Sequence, residues 1–345
     1  MKWLKHTVVA SAVAAAVAIG SASAIAADAA QNFYRGKTVQ ILVGFGPGGG
    51  YDLYARTLAR YMGKHIPGNP TVITQNMPGA GSLKAMNYVY NAARKDGTVI
   101  GTFARGMVIE PLLGHAKGTA FEATKFNWIG SISNEVSVCA FWHTSPIKSW
   151  EDMKTKQHTI GGSAAGADSD VFPSVLRKVY NLPMKLVTGY SGGGADINLG
   201  MERGEVHGRC GWSYSSMLSQ SRALLDGKKI NIVMQLALEK HEDLPNVPLI
   251  MDLPASPQDK AAMRLIVSRQ SIARPFAAPP GVPPERIKIL RDAFDATMKD
   301  PDFVKEATRL ALEVRPVGGA DVQRLIQEIY SSPADVVKRA SEIER

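Results

Sequence analysis

Six short stretches hold most of the residues that could do chemistry, and all are rich in glycine, serine or other small residues. The first is GFGPGGGYD, Gly44 to Asp52. QNMPGAGS follows at 75–82 and FARGM at 103–107. Later come GGSAAGADSD at 161–170, GYSGGGAD at 189–196 and RCGWSYSS at 209–216. Each follows an apolar run that reads as a strand, and most lead into a helix-like stretch. Small residues at that junction leave backbone N–H groups exposed beside a helix N-terminus. Such loops bind anions without needing a cationic side chain. A single loop has a plainer reading, since glycine at a turn often serves only to allow positive φ. The repetition at the same ends of strands points to a shared anion site.

Sharper chemistries fit less well. Gly44, Gly46 and Gly49 match the G-x-G-x-x-G spacing of a dinucleotide loop. That fingerprint needs an acidic residue after the next strand to hold ribose hydroxyls, and TQNMPG offers none. No Gly-Lys-Ser/Thr follows, so a phosphate-binding P-loop is excluded. Gly189, Ser191 and Gly193 match the G-x-S-x-G nucleophile elbow, with His207, Asp226 and His241 downstream. An exported serine hydrolase using Ser191 is therefore the alternative reading, although the glycine run 192–194 explains the match cheaply. The seven histidines are isolated, with no H-x-x-x-H or H-x-H pair, so no metal site is expected.

Strand and helix signals alternate around these loops. TVQILVGF, TVITQN and DGTVIGTF read as strands. Tyr51 to Met62 and SLKAMNYVYNAA read as helices, with Ala55, Leu58, Ala59 and Met62 on one stripe. Alternation of this kind implies a parallel sheet with right-handed crossovers. The pattern restarts after Trp128. SWEDMK starts a helix capped by Ser149, and HTIGGS, MKLVTGY and VHGRCGW read as strands. From Leu244 the chain is proline-rich and extended, and it ends in helical stretches with no strands of their own. The expected organisation is a signal segment at 1–26, a discontinuous first domain of 27–130 plus 240–345, and an inserted second domain of 131–239. Two crossing segments would then act as a hinge around a cleft.

Bulk composition supports an exported globular protein. The chain has 345 residues, 45% of them hydrophobic. MKWLKH supplies positive charge, TVVASAVAAAVAIG an apolar run short of a bilayer span, and SASAIAA a small-residue cleavage region. Removing Lys2 and Lys5 with it leaves 38 basic residues against 31 acidic, or +7. These charges are scattered, with no basic run interleaved with aromatics, which argues against a nucleic-acid partner. Cys139 and Cys210 both sit in strand-like runs. They are expected either as a disulfide, which export permits, or as two buried thiols.

Taken in order, the loops resemble the extracytoplasmic solute receptors of the tripartite tricarboxylate transporter family, the Bug-type receptors. The resemblance runs through GFGPGGGYD, QNMPGAGS, KDGTVIGTF, HTSPIKSWEDM, IGGSAAGADS, VTGYSGG, LPNVPLIMDLP and FAAPPGVPPERIKILRDAFDATMKDPDF. It implies an α/β, type II periplasmic-binding-protein fold, with two α/β domains closing on a small di-, tri- or aromatic carboxylate. It implies a monomeric periplasmic receptor without cofactor or catalytic activity, working with integral membrane transporter subunits. It assigns one carboxylate to Gly48, Gly49, Gly50, Asp52, Asn76, Gly79, Ala80, Gly81 and Ser82. It assigns the far end of the ligand to Ser163, Ala167, Asp168, Tyr190, Gly192 and Trp212. Asp52 would cap the helix start, orient loop donors, or do both. Arg105, Arg209, Asp168 and Tyr51 depart from the commoner family pattern and so become candidates for setting ligand choice. Phe45, Tyr51, Tyr190 and Trp212 would suit a flat aromatic acid or ordinary wall packing.

Overall fold

A computed structural model describes residues 32–114, 117–190 and 193–344. The expected signal segment, 1–26, lies outside the described residues. The strands are β1 Thr38–Val43, β2 Thr71–Asn76, β3 Val99–Thr102, β4 Asn127–Ser131, β5 Ser137–Trp142, β6 His158–Gly161, β7 Met184–Val187, β8 Gly208–Ser213, β9 Ile230–Leu236, β10 Pro275–Ala278 and β11 Val317–Gly318. The helices of the first half are α1 Gly50–Met62, α2 Leu83–Asn91, α3 Glu110–Leu113, α4 Trp150–Thr155, α5 Asp168–Tyr180 and α6 Gly194–Glu202. Then come α7 Tyr214–Gln220, α8 Arg222–Asp226, α9 Pro257–Val267, α10 Pro284–Met298, α11 Pro301–Arg309, α12 Gly319–Tyr330 and α13 Ala334–Glu344.

The strands form two sheets. The first runs β11-β4-β10-β3-β1-β2, with β1 parallel to both β2 and β3. The second runs β7-β6-β8-β5-β9, with β6 parallel to β7 and β8. Strand β1 is apolar at Val39 and from Ile41 to Val43 because both of its faces are covered there. Val39, Ile41 and Val43 join the core that contains Tyr54 and Leu58 of α1. Leu42 faces the other way, with Met86 and Val89 of α2. Tyr54, Ala55, Leu58 and Met62 recur at helical spacing and are all buried. Full burial of one such leucine is worth about 2 kcal/mol.

Three strands were hidden from the pattern, the two-residue β11 among them. INIVMQL forms β9 at an edge of the second sheet. RPFAAPP, which reads as extended and proline-rich, supplies β10, antiparallel between β3 and β4 in the first sheet. A proline is tolerated there because Pro275 is the first residue of the strand.

The expected boundary at 239/240 needs correction. Helices α10, α11 and α12 do pack on the first sheet. Helices α9 and α13 instead join the second lobe's core, through Met263, Ile266, Ala340 and Ile343 beside Val171 and Phe172 of α5. The chain therefore passes between the lobes three times, near 132–136, 268–274 and 331–333, rather than twice. The amphipathic stripes show that these helices must be covered but do not say by which sheet.

Cys139 and Cys210 form a disulfide with an S–S distance of 1.96 Å. Both are fully buried, and the bond between them sets aside the alternative of two buried thiols. The β5–β8 register shifts beside them, with Ala140 opposite Arg209 and Val138 opposite Trp212. Gly211 takes φ 71° at this bulge. Arg209 and Trp212 consequently share one face of β8, and Cys210 faces the other core.

Candidate functional site

The first loop leaves β1 and enters α1, whose cap is Gly49 with no side-chain cap bond. Asp52 is the third residue of that helix. Its Oδ2 accepts the Gly48 N–H at 2.9 Å and Arg56 Nε at 2.9 Å. Its Oδ1 accepts Asn76 Nδ2 at 2.8 Å. Asn76 also donates to Phe45 O and accepts from Arg56 Nη2. One carboxylate thus ties the first loop to the second. Burial raises the Asp52 pKa, but the hydrogen bonds from Arg56, Gly48 and Asn76 outweigh it and hold the carboxyl below its ordinary range. Of the two roles expected of Asp52, these contacts support loop orientation and not side-chain capping.

The second loop is strained. Gly79, Ala80, Gly81 and Ser82 have φ of 147°, 46°, 60° and 79°. Two of these are not glycine, and such strain persists where surrounding contacts over-determine the backbone. Ser82 is buried, and its Oγ accepts the Ala104 N–H at 2.8 Å. It braces the second loop against the third. Tyr51 does similar work, its hydroxyl accepting the Arg105 N–H at 3.0 Å. Phe45 stacks on Tyr51 with centroids 4.7 Å apart.

The second lobe repeats the Asp52 device with a residue that the sequence reading passed over. Asp170 is the third residue of α5, as Asp52 is of α1. Its Oδ2 accepts the Ser163 N–H at 2.7 Å and the Ala164 N–H at 3.0 Å. Its Oδ1 accepts Thr188 Oγ1 at 2.6 Å, from the loop after β7. The shared place of an aspartate three residues into a helix after a glycine-rich loop was the available signal.

The lobes meet through Arg105, which is fully buried. Arg105 Nε donates to Asp168 Oδ2 at 2.7 Å, and Nη2 lies 2.6 Å from the same carboxylate. Nη2 also donates to Ser137 Oγ at 2.7 Å, and Gln270 donates to Asp168 at 3.2 Å. Burial lowers the Arg105 pKa, but the facing Asp168 outweighs it and the net shift is upward. The guanidinium expected to meet ligand is therefore already paired across the cleft. Close approach here requires glycine, because a Cβ on Gly106 would lie 2.4 Å from Gly166 O. Gln220 of α7 reaches Gly48 O at 3.3 Å, and Arg274 reaches Ser216 Oγ at 2.9 Å while lying over the Tyr51 ring. Arg274 also ion-pairs Glu135, 139 positions away in the chain, a separation that no local motif announces.

Arg209 behaves differently. Its Nη1 donates to Gly194 O at 2.8 Å and Asn198 Oδ1 at 3.0 Å, and its guanidinium lies 4.8 Å over Trp212. Burial without a facing carboxylate pulls its pKa down to about 9. Trp212 and Tyr190, expected at the cleft wall, pack in the second lobe's own core. The Tyr190 hydroxyl turns to Glu205 at 3.1 Å. Ala167 caps α5 and is nearly buried. Ser191 and Gly192 lie outside the described residues. The other members of the hydrolase alternative are not brought together. His207 Nδ1 accepts from Thr159 N–H, His241 faces Glu313 at 3.7 Å, and Asp226 pairs with Arg222 on the surface.

Two α/β lobes around a cleft, linked by repeated chain crossings and lined at their facing strand ends by small-residue loops, define a type II periplasmic-binding-protein fold. The resemblance read from the loop motifs is matched by known structures of Bug-type and related receptors. The periplasmic binding protein BugD superposes with a TM-score of 0.70 at 19% identity, covering 90% of this chain and 97% of BugD. MatC from Rhodopseudomonas palustris, solved with bound malate, gives 0.66 at 18% identity, covering 90% and 99%. A "UPF0065 protein in gbd 5'region" from Cupriavidus necator is 22% identical over 331 residues, 90% of this chain and 89% of that protein. No family model matches the chain.

Proposed function

We propose that this chain is an exported solute receptor that captures a small organic carboxylate between its lobes and delivers it to the membrane subunits of a tripartite tricarboxylate transporter. The observation that carries this reading is the paired Asp52 and Asp170 device. Each lobe spends a buried carboxylate on shaping a glycine- or serine-rich loop, leaving backbone dipoles and a helix start toward the cleft. A ligand carboxylate docks on the first lobe, at loop 48–50, loop 79–82 and the start of α1. The Arg105–Asp168 contact helps the second lobe close over it. Ligand must favour the closed arrangement over the open one, or it would shift nothing.

A thermal-shift and calorimetric screen of mono-, di-, tri- and aromatic carboxylates tests this reading. The expected result is saturable stabilisation, with the ligand recovered unchanged. A screen without any stabilising carboxylate, or ester turnover abolished by Ser191→Ala, would overturn it.

A further inference from the structure

The first two passages of the chain between the lobes run side by side. Ile132 N–H donates to Arg274 O at 3.2 Å, Ala273 N–H to Ser133 O at 3.1 Å and Glu135 N–H to Gln270 O at 2.9 Å. A change in the angle between two lobes is absorbed by a few such residues at the ends of elements. Two opposite charges are buried in this ribbon. Arg274 is 2% exposed and Glu135 5%, and Arg274 Nη2 lies 3.4 Å from Glu135 Oε2. The two ends of the pair belong to opposite lobes. Arg274 directly precedes Pro275, the first residue of β10 in the first sheet. Glu135 stands two positions before Ser137, the first residue of β5 in the second sheet.

Both partners also hold helices. Glu135 accepts the Ser215 N–H at 3.3 Å and the Ser215 hydroxyl, at the start of α7 in the second lobe. Arg274 Nη2 donates to Ser216 Oγ of α7 at 2.9 Å. The Arg274 guanidinium lies 4.8 Å from the Tyr51 ring centroid and 4.9 Å from that of Tyr54, both on α1 of the first lobe. The arginine is therefore clasped between one helix of each lobe. The fit has no slack, because a Cβ on Gly50 would lie 2.5 Å from Ser216 Oγ and 3.3 Å from Arg274 Nη2. Arg105 and Asp168 also join the lobes, but from loops at the cleft, whereas Arg274 joins them where the chain itself crosses. A buried ion pair is often no more stabilising than apolar residues of similar volume, so stability alone does not account for this one.

We propose that Arg274 is the positioning residue of the hinge: paired with Glu135 and clasped between α1 and α7, it fixes the angle between the two lobes. The same contact abuts Gly50, at the helix start where the ligand docks. The consequence for binding rests on the receptor reading above, and the control of the lobe angle does not.

The test is small-angle X-ray scattering of the full mature chain without ligand, beside urea unfolding. Arg274→Met combined with Glu135→Gln removes both charges together, so neither is left stranded. That double variant should be more stable than Arg274→Met alone and still show a larger radius of gyration and maximum dimension than wild type. A merely structural pair would move the urea midpoint and leave the radius unchanged. Should the double variant not fold, Arg274→Lys takes its place. It keeps the charge but loses the planar face held against two rings, and should also shift the radius upward. A wild-type radius in whichever of these variants folds makes Arg274 a packing residue and ends the idea, with the receptor reading intact. Absence of any carboxylate binding would end the receptor reading and leave the hinge assignment standing.

Discussion

The two lobes shape their cleft loops in the same way and differ in how they balance charge. In the first lobe Asp52 is gripped by Gly48 and Asn76 and neutralised by Arg56 one helical turn on. In the second, Asp170 is gripped by Ser163, Ala164 and Thr188 and has no cation in its set of hydrogen bonds. Arg209, in that same lobe, forms no ion pair among the described residues and donates instead to Gly194 O and Asn198. The Asp52 cluster includes its own counter-cation, and the Asp170 cluster does not. The same contrast divides the two unusual arginines, since Arg105 is spent on Asp168 and Arg209 is not.

The strongest way to break the comparison is Asp168→Leu. It strands Arg105 without its counter-charge and should cost about 3–5 kcal/mol in urea unfolding. Arg209→Met removes a charge that has no carboxylate partner and should change stability by no more than about 1 kcal/mol. Equal losses in the two variants would erase the distinction. Next comes the Cys139–Cys210 bridge, which closes a separation of 71 residues beside Arg209. Replacing both cysteines by alanine should cost about 2–4 kcal/mol, seen as a lower urea midpoint.

A smaller contrast lies between the two aspartates. Asp170→Ala should cost about 2–3 kcal/mol, and Asp52→Ala about 1–2, because only the Asp52 network includes a solvent-accessible arginine that water can serve instead. The Asp52 part depends on pH. Its folded pKa is depressed, so its contribution is full above the unfolded value near 4 and fades as pH falls through the folded value. Wild type and Asp52→Ala should therefore converge in stability in acid, and parallel pH profiles would contradict the assignment. Tyr51→Phe is the mildest test. Losing the acceptor for the Arg105 N–H should cost about 1 kcal/mol and loosen the third loop, measurable as faster amide exchange at 104–107.

Much of the candidate site's loop framework was legible from one property, glycine and serine placed between an apolar run and an amphipathic stripe. That pattern located the loops at 44–52, 75–82 and 161–170 because local backbone geometry demands those residue types there. Asp170 was missed although it obeys the same local rule as Asp52. Arg274 and Glu135 were missed for a different reason, since their pairing depends on residues far apart in the chain. Tyr190 and Trp212 were expected at the cleft because they belong to cleft loops. The bulge at Gly211 and the turn toward Glu205 aim them into the lobe instead.

By itself the sequence determined two alternating α/β sets and the small-residue loops that follow their strands. These follow from periodicity and backbone propensity, which act over a few residues. Only the tertiary structure decided which sheet receives α9 and α13, that Cys139 bonds Cys210, and that Arg105 meets a carboxylate while Arg209 meets Gly194 O and Asn198. Those outcomes depend on burial and on distances between residues tens to hundreds of positions apart. The charge of a side chain is written in the sequence, and whether that charge is already neutralised is settled only by what folds against it.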